Sequence, residues 1–170
     1  MKNTVLKTLL FKLLVFTILS GIFVSCKDDE TETSGEYYVR FNANGQKIEF
    51  KVQGATVAAF GQAANIYNAV FTGYDASSNL ILQVFDKKEI TTSTYSGYTL
   101  SGASFIGSLI SYQDASGTVF RQDVSNPVTT VTISEITSET VRGTFSGIVK
   151  TSGKPDISIT QGEFYVWRTN

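Results

Sequence analysis

The sequence predicts an all-β domain, an antiparallel β-sandwich or barrel of about nine or ten strands, behind a cleaved signal peptide. Three observations lead there. From Tyr37 onward the apolar residues recur with a period of two, the mark of half-buried strands. Thr, Val, Ile, Tyr and Phe dominate those runs, and such side chains suit a pleated surface. Turn-forming clusters separate the runs at short, regular intervals, as in sandwiches and barrels.

The chain divides into three parts: a signal peptide (1–25), a cysteine with a polar tether (26–36) and a single β-domain (37–170). Lys2, Lys7 and Lys12 open the leader without any acidic residue, LLVFTILSGIFV follows, and small Ser25 closes it. A basic start, a short apolar run and a small residue in that order form an export signal. The run falls short of the roughly 20 residues that span a bilayer, so a removed leader is expected rather than a transmembrane anchor.

Cys26 is the only cysteine of the chain. Phe23-Val24-Ser25-Cys26 resembles the lipobox of bacterial lipoproteins, with Phe23 where leucine is preferred. The resemblance implies cleavage before Cys26, a diacylglyceryl group on its sulfur and acylation of the new amine. The residues themselves disfavour other roles. A free thiol is usually buried, yet Cys26 is followed by KDDETETSGE, which has no apolar residue to bury it. A cysteine nucleophile needs a base, and the chain has no histidine. Two or three acyl chains hold a protein stably, at about 0.8 kcal/mol per buried methylene.

Lys27, Asp28, Asp29, Glu30 and the residues to Gly35 bury nothing that could offset ordering entropy. A disordered tether is expected, placing the domain on the order of 17 Å from the membrane. Lys27-Asp28-Asp29-Glu30 resembles the acidic lipoprotein export signal of the Bacteroidota. That implies an outer-membrane protein facing the cell surface; the alternative is a plain spacer on a periplasm-facing anchor.

Loss of the leader, with its three lysines, moves the net charge from −1 to −4. No nucleic-acid partner is expected of such a chain, because phosphates require clustered Lys and Arg. With Cys26 acylated no internal disulfide can form, so stability rests on the core. A chain of this size buries about 68–70% of its unfolded surface, which suffices.

Within the domain, Asn44-Gly45 between YYVRFNA and QKIEFKV predicts a two-residue hairpin turn. The stretch 55–68 is the one place where a helical turn is considered, weakened by Gly61 and its β-branched flanks. DASSN separates IYNAVFTGY from LILQVF, and DASG separates SFIGSLISYQ from TVFRQDV. The two hairpins use one turn solution, with an Asp bonding its own backbone. TTSTYSGYTLSG reads as a polar loop or edge. TSET links VTTVTISEI to VRGTFSGIV, where Val141 to Val149 alternate in and out. In the last run Ile157 and Ile159 have one parity and Phe164 and Val166 the other, which predicts a bulge near Gly162.

VTISEI, VRGTFSG and ITQGEFYV, together with FNANGQ in the first hairpin, resemble a group of Bacteroidota lipoproteins of unknown function. The resemblance implies an outer-membrane-associated β-domain and carries no catalytic residues over.

Catalytic chemistry finds few footholds. Without histidine no zinc site is expected, and no metal or other cofactor is. Asp75 and Asp114 read as turn formers rather than calcium ligands. GTFSG is not G-x-S-x-G and lacks a base. Asp86 with Glu89 and Glu135 with Glu139 flank polar turns and read as solvated charge rather than a glycosidase pair. A non-catalytic role is therefore expected. Tyr95, Tyr98, Tyr165 and Trp167 are the candidate ligand-binding residues, able to stack on a sugar or anchor an envelope protein. The alternatives are a carboxylate-dependent hydrolase and an inhibitor of a secreted hydrolase presenting 91–102 as a loop.

Overall fold

Asn44 and Gly45 have φ of 49° and 84°, both left-handed, as a type I′ turn requires. They join β1 (Tyr38–Ala43) to β2 (Gln46–Phe50) with Ala43 opposite Gln46. This hairpin opens a computed structural model that describes residues 37–51, 54–101 and 104–169. The signal peptide, Cys26 and the acidic tether lie outside the described residues.

Ten further strands follow: β3 (Val57–Ala63), β4 (Ile66–Tyr74), β5 (Asn79–Asp86), β6 (Thr94–Ser96), β7 (Tyr98–Ser101), β8 (Ser104–Gln113), β9 (Val119–Gln122), β10 (Thr130–Ile136), β11 (Thr140–Lys150) and β12 (Ile157–Thr169). The protein is all-β, with no helix among the described residues. The described residues form twelve strands where nine or ten are expected. The run 55–68 holds β3 and the start of β4 instead of a helical turn, joined by Ala64 and Asn65 at φ 47° and 65°. Of the polar stretch, residues 91–101 are described and contain β6 and β7, paired to β10 and β8; β6 ends the strand order, so the stretch is an edge rather than a free loop.

Hydrogen bonding runs in the order β2-β1-β12-β3-β4-β5-β8-β9-β11-β10-β6, with β7 on β8 and a second pairing of β11 with β12. That last pairing closes a circuit of β12, β3, β4, β5, β8, β9 and β11. Two layers result, β2-β1-β12-β11-β10-β6 and β3-β4-β5-β8, joined by short seams at β12–β3 and β9–β11. The β12–β3 seam is parallel, the one departure from the expected antiparallel pattern. It forms because β12 outlasts β1: after Tyr38 meets Tyr165, Trp167 to Thr169 pair with Val57 to Ala59 instead.

The inward side chains of both layers build the core. Phe41 of β1 meets Tyr112 of β8 edge-on at 5.4 Å, and Phe71 of β4 stacks on Phe164 of β12 at 4.7 Å. β11 alternates without error, with Val141, Phe145 and Val149 buried and Arg142, Thr144 and Ser146 exposed. β12 carries the expected bulge. Thr160 and Gln161 are both exposed, Gln161 at φ 52°, so that Ile159 and Phe164 each reach the core.

Two cross-strand pairs explain the GTFSG and ITQGEF patterns. Gly143 lies opposite Phe164, and Phe145 opposite Gly162. A Cβ on Gly143 would strike the ring of Phe164 and the carbonyl of Thr132; one on Gly162 would strike Phe145. Each phenylalanine therefore lies over its partner's bare backbone, which fills the space left by the missing side chain. Full burial of a ring of this kind stabilises by about 1.5–3 kcal/mol.

The aspartate turns form as expected. Oδ1 of Asp75 accepts from the backbone N–H of Ser77 and Ser78, both at 2.8 Å. Oδ1 of Asp114 accepts from Ser116 and Thr118, and Oδ1 of Asp123 from Ser125. These bonds hold all three carboxyls below the usual range, led by the backbone of Ser77 for Asp75 and by the hydroxyls of Ser116 and Ser125 for the others. A carboxyl with a lower pKa folded than unfolded stabilises above the unfolded value of about 3.9, and the gain is lost as pH falls through the folded value. With no histidine in the chain, the thermal midpoint is expected to be flat between about pH 5 and 8 and to fall below about pH 4. Calorimetric scans across that range check this; a step near pH 6–7 would contradict it.

Candidate functional site

Alternation along β1, β12, β11 and β10 turns one set of polar residues outward, and the pairing register aligns them in rows. One row crosses the whole layer: Glu49, Arg40, Glu163, Thr144, Thr132 and Thr94 stand opposite one another on β2, β1, β12, β11, β10 and β6. The next row contains Lys47, Asn42, Thr160, Ser146, Thr130 and Ser96, with the bulge adding Gln161. Neighbouring strands lie about 4.8 Å apart, so hydroxyls, amides and charges form a regular comb.

Between these rows the surface sinks into an open depression of about 610 Å³, within the ordinary range of ligand sites. Arg40, Asn42, Lys47, Thr132, Thr144, Gln161 and Glu163 reach into it, over a floor that includes Phe41, Phe145 and Gly162. The bulge matters here, because it turns Gln161 outward beside Asn42 while Gly162 keeps the floor low.

Three pairs of polar groups are already oriented by one another. Arg40 donates to Glu163 Oε2 from Nη2 at 2.6 Å and from Nε at 3.0 Å. The bond to Glu163 raises the guanidinium further above its usual value, so it stays charged. Asn42 Nδ2 donates to Gln161 Oε1 at 2.6 Å, and the Thr94 and Thr132 hydroxyls pair at 2.9 Å. Glu163 is the sole carboxylate among the described residues lining the depression. Elsewhere, Glu89, Glu135 and Glu139 are exposed and Asp86 is half-buried. No three acidic, cysteine or histidine side chains gather into a metal-holding group among the described residues.

The aromatic candidates occupy separate places. Tyr95 is buried in the core, and its hydroxyl both donates to the Thr91 carbonyl and accepts from the Thr91 N–H. Tyr98 stacks on Phe105 at 5.6 Å, beside β8. Of the four, only Tyr165 and Trp167 share a face, the outer one of β12, one and two rows from the depression. Tyr165 has Tyr37 at 5.5 Å, Tyr38 at 6.2 Å and the Arg142 guanidinium 4.1 Å above its ring. Trp167 is 45% exposed.

Arg40, Asn42, Gln161 and Glu163 are functional candidates that sequence reasoning passes over. Their outward parity is readable, but Arg40 and Glu163 lie 123 positions apart and meet only through the β1–β12 pairing. Comparison of the chain with protein-family models, curated proteins and solved structures finds no match.

Proposed function

We propose that this is a lipid-anchored protein of the cell envelope, facing outward on the outer membrane, whose β-domain binds a glycan without catalysis. The observation that carries the ligand reading is the polar comb around the depression. A sugar chain presents hydroxyls at close intervals, and each one leaving water needs a donor or acceptor in return. Asn42, Gln161, Arg40, Glu163 and the threonines offer both kinds on a fixed strand scaffold. The shallow, open form suits a polymer lying across the strands better than a small molecule swallowed whole.

The anchor reading rests on Cys26 and its flanks, and it places such a domain where envelope or extracellular polysaccharides are met. The hydrolase alternative asks for two carboxyls flanking a bond, and the depression offers Glu163, held by Arg40.

The test is a glycan array probed with the mature protein, followed by titration of any ligand found. Replacing Asn42 and Gln161 together by alanine removes two hydrogen-bonding amides, a loss of about 1–3 kcal/mol or roughly 5- to 150-fold in affinity. The thermal midpoint should hold, since both side chains are largely outside the core. Failure of the intact protein to bind any glycan, or equal binding by the double variant, overturns the reading.

A further inference from the structure

We infer that the aromatic rim formed by Tyr37, Tyr38, Tyr165 and Trp167, with Arg142, is a docking surface for the lipid headgroups of the bilayer that holds Cys26. The inference rests on the anchor half of the proposed function and adds a fixed orientation to it.

Position along the chain is the first argument. Tyr37 is the first described residue, and its ring packs on Tyr165. Ten residues separate it from Cys26, a reach of about 35 Å at full extension. The rim is therefore the part of this face tied most closely to the anchor. Chemistry is the second. Tyrosine and tryptophan favour the membrane–water boundary, where an apolar ring and a polar tip are both satisfied. Arginine pairs with phosphate in a planar, two-pronged geometry.

Occupied ring faces are the third argument, and they decide between occupants. A sugar stacking on an aromatic needs an open face. Guanidinium groups already lie over Tyr165 and Tyr38, Arg142 at 4.1 Å and Arg40 at 4.6 Å. Trp167 lies two residues beyond Tyr165 on the same face and is the large exposed ring of the group.

Trp167 is also the only tryptophan in the chain, so its fluorescence reports on the rim alone. The lipidated protein is reconstituted on vesicles of phosphatidylethanolamine and phosphatidylglycerol. Flotation and mass analysis of Cys26 report the anchor separately. Docking predicts that Trp167 is quenched by lipids bearing a nitroxide near the headgroup and shielded from iodide in the water. Tyr37→Asp places a charge in the rim and should restore iodide quenching while the protein still floats. Flotation with Trp167 fully open to iodide overturns docking and leaves the anchor standing. Absence of acyl groups on Cys26 with no flotation overturns both.

Discussion

Gly143→Val is expected to leave no cooperatively folded domain. A side chain at this position would meet the carbonyl of Thr132 and the ring of Phe164 closer than any real Cβ approaches its neighbours. Neither obstacle is a flexible chain end. One is the backbone of β10, the strand paired with β11; the other is a ring stacked on Phe71 and 1% exposed. Relief requires either parting β10 from β11 or driving Phe164 out of the core. Loss of a buried phenylalanine alone costs about 3–5 kcal/mol, a large share of the 5–15 kcal/mol of an ordinary domain. Gly143→Ala carries the same Cβ into the same two obstacles and should already cost about 3–5 kcal/mol. Thr144→Ala, one residue away and facing solvent, should stay within about 0.5 kcal/mol of the parent. Denaturant titrations of the three variants check the order, and a native-like Gly143→Val would refute this account of the glycine–phenylalanine pairs.

Cys26→Ala is expected to abolish incorporation of labelled palmitate altogether. The chain has one cysteine, so a thioether-linked lipid has no second site. Acylation of the amine should go too, because that amine is freed only after the modified cysteine directs cleavage. The domain is expected to melt as the parent does, since residues 37–169 contain no cysteine. Combining the readouts separates an anchoring role from a structural one: label lost with stability kept supports the anchor, and label retained removes it.

The sequence made the local features of this fold readable and left the long-range ones hidden. Asn44-Gly45 and the Asp75 and Asp114 turns are specified within four or five residues, by backbone angles and side-chain acceptors. The β12 bulge was legible because a change of parity between Ile159 and Phe164 has few geometric remedies. β3 was harder to see. Its turn uses Ala64 in a left-handed conformation that costs an L-residue about 1–2 kcal/mol, so composition gives no sign of it. β6 and β7 are too short and polar to show a period; their pairings with β10 and β8 define them. The comb was hidden for another reason. Threonine, asparagine and glutamine on an outward face read as ordinary solvated positions until the register of six strands aligns them.

The placement of β1 has a mechanical consequence. Were the chain held at Cys26 as proposed, a pull on it would enter the domain at Tyr37, directly ahead of β1. That strand is flanked by β2 on one side and β12 on the other, so it cannot be unzipped one bond at a time from a free edge. Drawing it out means shearing both ladders together, while Arg40 grips Glu163 across one of them. The carboxy-terminal strand β12 is in turn held by β11 and β3, which spreads the load into both layers. A pull reaching the domain through its amino-terminal strand would thus be resisted where it enters.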